Sequence, residues 1–358
     1  MDDLIYVGTY TGPGRAEGIY VLRLDAATGA LERVHTITGV DNPSFLALDR
    51  QRRFLYAVEE VSEHEGQKSG AISAFAVDGA SGNLAFLNRQ ATHGTAPCYV
   101  SLDSGERFAL VANYGSGTLS VFPRDADGRL QPASDVVQHQ GRGPNPRRQE
   151  GPHAHSILPT PDGKYVLSCD LGIDRVLVYR LDAGAGTLAP NTLPFAQVSS
   201  GAGPRHVAFH PGGRFVYVNN EIDSTVSAFA YDGERGALQI VQTISTLPDD
   251  FVGRNSTAQI VAHPNGRFLY VSNRGHDSIA TFAVDGETGR LRALGHEPTQ
   301  GQTPRNFNLD PTGAYLLAAN QSSNNVVSFR VDQETGRLQP TGRSLEVMAP
   351  VCLVFAGR

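Results

Sequence analysis

The chain has 358 residues, 40% of them hydrophobic, and a formal charge of −6 at pH 7. That length can bury a large core and exceeds an ordinary single sandwich. So small a charge, with Lys and Arg spread thinly, argues against nucleic-acid binding and leaves no basic membrane patch, and no apolar run approaches the roughly 18 to 20 residues of a membrane span.

The chain opens on "MDDLIYVGTYTG", with two acids where a signal peptide has cations, which points to the cytoplasm. Its alternating apolar residues predict a strand at "DLIYVGT". A second strand is predicted at "GIYVLRLD", leading into a turn of the form D-x-x-x-G-x-L at Asp25. This trio then returns along the chain. "RFLYAVE", "RFALVAN", "KYVLSCD", "RFVYVNN", "RFLYVSN" and "AYLLAAN" repeat the first strand. "AISAFAVD", "TLSVFPRD", "RVLVYRLD", "TVSAFAYD", "SIATFAVD" and "VVSFRVD" repeat the second. The turn recurs at Asp78, Asp182, Asp232, Asp285 and Asp332, with a copy one residue shorter at Asp125. Glycine at the left-handed position of a tight loop marks each as a hairpin. A further strand precedes each pair, as in "PSFLALD" and "PRHVAFHP", and a shorter one follows each turn.

Four short strands per unit, seven units, a period of about 50 residues and no helical periodicity predict an all-β, seven-bladed β-propeller. Tryptophan is absent, so the Trp-Asp signature of one propeller class is too. Counting strands outward from the central channel, the chain starts on a second strand and ends on a first, "PVCLVFAG". The C-terminal strand is therefore expected to complete the N-terminal blade and close the ring without a sheet edge, which makes residues 1–358 a single domain. Three connections are long: residues 60–70, 136–152 and 245–257. Neighbouring strands are antiparallel, so all three are expected on one face, and insertions gathered on one face mark it as the working one. Cys98, Cys169 and Cys352 lie far apart without a CxxC, and read as reduced, buried thiols rather than redox or zinc ligands.

Positions that differ between copies of a repeat are available for function. Just past the second strand the residues run Tyr10, Glu60, Tyr114, Leu171, Glu221, Arg274 and Gln321. At the start of the first strand they run Phe45, Tyr99, His155, His206, Gln259, Asn306 and Cys352, with Arg205 and Arg305 just before two of them. The topology predicts that Arg205, His206, Glu221, Arg274 and His155 converge at one mouth of the channel. Glutamate and histidine serve as general bases, and arginines bind anions or stabilise an oxyanion. A carboxylate flanked by two arginines stays ionised. A ring of salt bridges plugging the mouth is the alternative. Asn113, Asn220, Asn273 and Asn320 recur and read as turn caps, although Asn220, directly before Glu221, is also a candidate substrate contact. His153 lies on the same rim, either backing His155 or touching substrate. Arg142, Arg147 and Arg148 form a basic loop, either solvated or a lid over a phosphate. His210 and His263 read as turn residues on the opposite face.

"GPHAHSILPTPDGKYVLSCDLGIDRVLVYRLD", "GAGPRHVAFHPGGRFVYVNNE" and "HPNGRFLYVSNRGHDSIATFAVD" together resemble the seven-bladed lactonase family across essentially the whole chain. That family includes the bacterial propeller-type 6-phosphogluconolactonases and the fungal carboxy-muconate lactonizing enzyme. The resemblance implies catalytic roles for His155, Arg205, Glu221 and Arg274, and hydrolysis of 6-phospho-D-glucono-1,5-lactone to 6-phosphogluconate. Under that reading Glu221 or His155 activates water, Arg205 or Arg274 stabilises the oxyanion, and the remaining arginine with His206 binds phosphate. Neither metal nor cofactor is needed, and the expected partner is a small sugar lactone, with no nucleic acid or membrane. The extended "GRGPNPRRQEG" loop departs from the family pattern. A muconate-type cycloisomerase and a non-catalytic binding platform are the other readings, the latter requiring an exposed apolar patch on the loop-rich face.

Overall fold

The structure, a computed structural model, describes residues 3–357. Its strands form seven four-stranded antiparallel sheets, with no helix among the described residues, the architecture of a seven-bladed β-propeller. Six sheets are consecutive in the chain. The remaining one joins the two ends: Pro350–Phe355 pairs with Asp3–Thr9, in the register Tyr6↔Val354 and Gly8↔Cys352, and Gly18–Leu24 and Leu31–Thr38 complete it. The predicted seam is thus present. The long connections differ slightly from expectation, because Asp135–Gln138 is itself the fourth strand of its sheet.

The chain divides into two compact units. The first comprises the chain through Gly39, His206–Ala230 and everything from Gln239 onward; the second comprises Val40–Arg205 and Tyr231–Leu238. In both, the second strand of a sheet is buried end to end, as in Phe108–Asn113 and Phe215–Asn220, whereas fourth strands such as Leu31–Thr38 alternate with solvent. Strands covered on both faces carry near-continuous apolar runs. In each unit a core cluster lies between consecutive sheets. In the first unit Tyr217, Val226 and Ala228 pack on Leu269, Val271 and Phe282; in the second, Tyr56, Val58 and Ile72 pack on Val100, Val111 and Phe122.

The recurring D-x-x-x-G turn joins sheets as well as strands. Its aspartate caps the turn: Asp285 accepts from the Glu287 backbone N–H at 2.9 Å, and Asp182 from that of Gly184 at 2.8 Å. Its glycine is left-handed in every copy, with φ between 63° (Gly236) and 87° (Gly128). In several copies the aromatic residue opening the second strand of the preceding sheet lies against that glycine. A Cβ on Gly289 would stand 2.3 Å from the Phe215 ring, one on Gly336 2.4 Å from Phe268, and one on Gly128 2.1 Å from Phe54. Two residues further along, a tyrosine hydroxyl donates to the same glycine's carbonyl: Tyr217 to Gly289 at 3.1 Å and Tyr270 to Gly336 at 2.8 Å. The two motifs that recur together in sequence are thus the two halves of one lock between sheets.

Candidate functional site

A one-residue bulge at the start of the first strand sets the site. In four sheets the pairing skips one residue: Cys98 between Pro97 and Tyr99, His155 between Ala154 and Ser156, Arg305 between Pro304 and Asn306, and Val351 between Pro350 and Cys352. Bulges re-aim a side chain, and they gather near active sites. The register corrects the column expected for His155. Its counterparts are Cys98, Arg305 and Val351, while Ser156 matches Tyr99, Asn306 and Cys352. Period counting misses this because a bulge adds a residue without changing the strand's composition. "PRHVAF" has the same Pro-Arg opening as "PRNFNL", which gives Arg205 the position of Arg305.

In the first unit the strand Phe268–Arg274 ends at an ion pair, with the Arg274 Nη2 2.9 Å from the Glu221 Oε2. Glu221, just past Phe215–Asn220, is buried. Nη2 of Arg274 also donates to the Thr257 carbonyl at 2.9 Å, while its Nε–H is buried without an acceptor. Burial pulls the Arg274 guanidinium below its ordinary pKa; Glu221 opposes this and the charge of Arg305 adds to it. Arg305 lies over the Tyr10 ring, 5.4 Å from its centroid. His206 is buried, and its Nδ1 is 2.5 Å from the Gln259 Oε1; a carboxamide oxygen only accepts, so Nδ1 carries a proton. Its backbone N–H donates to Asn219 at 3.2 Å, and Asn219 in turn donates to Thr257 at 2.8 Å. The boundary between units falls at the peptide joining His206 to Arg205, which is also buried.

In the second unit Tyr114 collects the other candidates. The His153 ring stacks on it at 4.6 Å, and the buried His155 ring meets it edge-on at 5.4 Å. Arg148 Nη2 donates to its hydroxyl at 3.4 Å. His155 Nδ1 also lies 3.6 Å from the Cys98 sulfur. The basic loop is tied down from inside. Gln149 donates to the Leu171 carbonyl at 2.8 Å and to Asp174 at 2.7 Å. Asp170 clamps both ends, taking His139 Nδ1 at 2.6 Å and the His153 backbone N–H at 2.7 Å. Arg142 and Arg147 are exposed.

His139 and Asp170 were not singled out from sequence, though a signal existed. Asp170 stands where Asn113, Asn220, Asn273 and Asn320 stand in other sheets, so its charge required a partner. Glu59 does the same and pairs with Arg89 at 2.6 Å. Asn220 caps from within its sheet, donating to Thr225 at 2.8 Å and Ser227 at 3.0 Å. His210 and His263 are turn residues as expected, their Nε2 atoms 2.9 and 3.1 Å from the Gly266 and Gly313 carbonyls. None of the three cysteines is in a disulfide, and all are buried. Burial pushes the Cys169 thiol up to about 12, the Ser156 hydroxyl opposing and the charge of Asp170 adding. Iodoacetamide at pH 8 is therefore expected to leave Cys169 unmodified in the native protein and to alkylate it after unfolding, as read by peptide mass spectrometry. Labelling at equal rates in both states would contradict this.

The chain was compared with known proteins. It is 41% identical over 305 residues to the 6-phosphogluconolactonase of Bacillus subtilis strain 168, covering 85% of this chain and 84% of that one. The 6-phosphogluconolactonase of Formosa agariphila is 34% identical over 310 residues, covering 86% of each. Among solved structures, the periplasmic gluconolactonase of Pseudomonas aeruginosa superposes with a TM-score of 0.93 at 35% identity, over 99% of both chains. The profile of the family described as "Lactonase, 7-bladed beta-propeller" matches residues 4–355. The chain belongs to this family of seven-bladed β-propeller lactonases.

Proposed function

We propose that the protein hydrolyses a sugar lactone, 6-phospho-D-glucono-1,5-lactone, to the open-chain acid. The observation that carries this reading is the Glu221–Arg274 pair, a buried carboxylate held 2.9 Å from a guanidinium. Glu221 takes a proton from water as the water oxygen bonds to the lactone carbonyl carbon. The guanidinium of Arg274 stabilises the carbonyl oxygen as it becomes negative. Collapse of the tetrahedral species breaks the ring C–O bond, and the departing oxygen takes up the proton. A lactone is a reactive ester, so general-base assistance of about 10²–10⁴ with charge stabilisation suffices. We carry His155 and Arg205 over from the family resemblance, His155 as the alternative base to Glu221 and Arg205 as a second hydrogen-bond donor to the oxyanion. We assign His206, His153 and Arg148 to substrate binding, and Asn220 to holding the turn that carries Glu221.

The scheme needs no metal. The relatives named 6-phosphogluconolactonase support the choice of substrate. The binding-platform reading lacks its patch. Among the described residues the exposed large apolar side chains Phe86, Val136, Leu193, Phe195 and Ile240 lie in fourth strands, and Val252 alone is on a long connection. No helix is long and apolar enough to cross a membrane. We place the reaction in the cytoplasm, a compartment in which three free thiols stay reduced. An assay coupled to 6-phosphogluconate dehydrogenase tests the activity. Release of 6-phosphogluconate above the uncatalysed rate supports it, whereas turnover of a muconate without lactone hydrolysis would replace it with the cycloisomerase.

A further inference from the structure

We propose that Arg305, held over the ring of Tyr10, is the residue that takes the substrate's phosphate and so makes the site selective for phosphorylated lactones. The inference rests on the lactonase reading above and adds to it the group that recognises phosphate.

Arg305 is the bulged residue of its first strand, the position that His155 holds in another sheet, so the backbone device that presents a family catalytic residue also presents this arginine. The ring of Tyr10, 5.4 Å from the guanidinium carbon, supports its face and orients the donor edge. Arg305 is also close enough to Arg274 for its charge to oppose that of Arg274, while Glu221 attracts it. Arg274, Arg305 and Glu221 together carry a net positive charge, and a bound dianion relieves the repulsion between the two guanidinium groups. Nη2 of Arg274 is committed to Glu221 and to the Thr257 carbonyl, which directs Arg274 to the reacting end of the lactone. Arg305 then serves the far end, where the flat donor fork of arginine matches phosphate oxygens two at a time.

The test compares Arg305→Gln and Arg305→Lys with the parent protein on 6-phosphoglucono-1,5-lactone and on unphosphorylated glucono-1,5-lactone. Loss of one charge-assisted contact predicts that Arg305→Gln lowers the ratio of kcat/KM for the phosphorylated over the plain lactone by about tenfold or more, chiefly through KM, with partial recovery in Arg305→Lys. An equal fall on both lactones would overturn the assignment by placing Arg305 at the reacting group, and unchanged kcat/KM on both would overturn it outright. Thermal stabilisation by inorganic phosphate supplies a readout independent of turnover. It should raise the midpoint of the parent and fail to raise that of Arg305→Gln. If the parent hydrolyses neither lactone, the proposed function falls and phosphate stabilisation alone decides the role of Arg305. Equal stabilisation of parent and variant would then overturn it.

Discussion

Glu221→Gln is expected to lower kcat by about 10²–10⁴, the range a positioned general base contributes, which corresponds to about 2.7–5.5 kcal/mol of barrier. The substitution keeps the size and shape of the side chain. Its amide oxygen can still accept from the Arg274 Nη2, now 2.9 Å from the carboxylate, so Arg274 stays in place and KM should move far less than kcat. What is lost is the ability to take a proton from water. A second signature follows from this. If Glu221 must be ionised to act, the acid limb of the kcat/KM profile disappears in the variant. Arg274 is half-buried, and burial already disfavours its charge, so removing the negative partner also costs stability; a thermal melt run alongside separates that cost from the catalytic one. A fall of less than tenfold with the acid limb retained would reduce Glu221 to an anchor for Arg274 and move the base to His155.

Much of this was readable in the sequence, for a physical reason. A propeller repeats one supersecondary unit, so the residues that build it recur, and the recurring turn with its alternating apolar strands announced all seven sheets. The seam was readable because the chain started on one strand type and ended on another. The Glu221–Arg274 contact was also legible, since both residues follow second strands and break the repeat. Two things were not. The bulge that carries His155 and Arg305 shifts the register by one residue without altering composition, so counting placed His155 beside Tyr99 when Cys98 is its counterpart. Arg305 was in view as a consequence but had no position of its own. The His139–Asp170 pair escaped because its partners are 31 positions apart and meet only when the loop folds back, bonded at 2.6 Å. Buried charges demand partners, and Asp170 in a column of asparagines was the visible half of that demand.

The lock between sheets predicts the largest effect on stability, at Gly289. With φ at +71°, any side chain there is strained, and a Cβ would stand 2.3 Å from the Phe215 ring. The left-handed backbone costs about 1–2 kcal/mol, and forcing the ring aside costs a further ~1–3 kcal/mol as for any overpacked core. Gly289→Ala is therefore expected to lose about 2–5 kcal/mol, a large share of the ~5–15 kcal/mol that holds a typical protein folded. Gly39→Ala isolates the backbone contribution, because Gly39 has a φ of +79° and no atom within 4 Å of its added Cβ; it should lose only the first part. Tyr217→Phe removes the hydroxyl that donates to the Gly289 carbonyl at 3.1 Å and should cost about 1 kcal/mol. Urea unfolding followed by circular dichroism measures all three, tryptophan fluorescence being absent from this chain. The ordering matters more than any one value. If Gly289→Ala were no worse than Gly39→Ala, the glycine would be serving its turn alone. The aromatic at the head of each second strand would then recur for a reason other than gripping the next sheet.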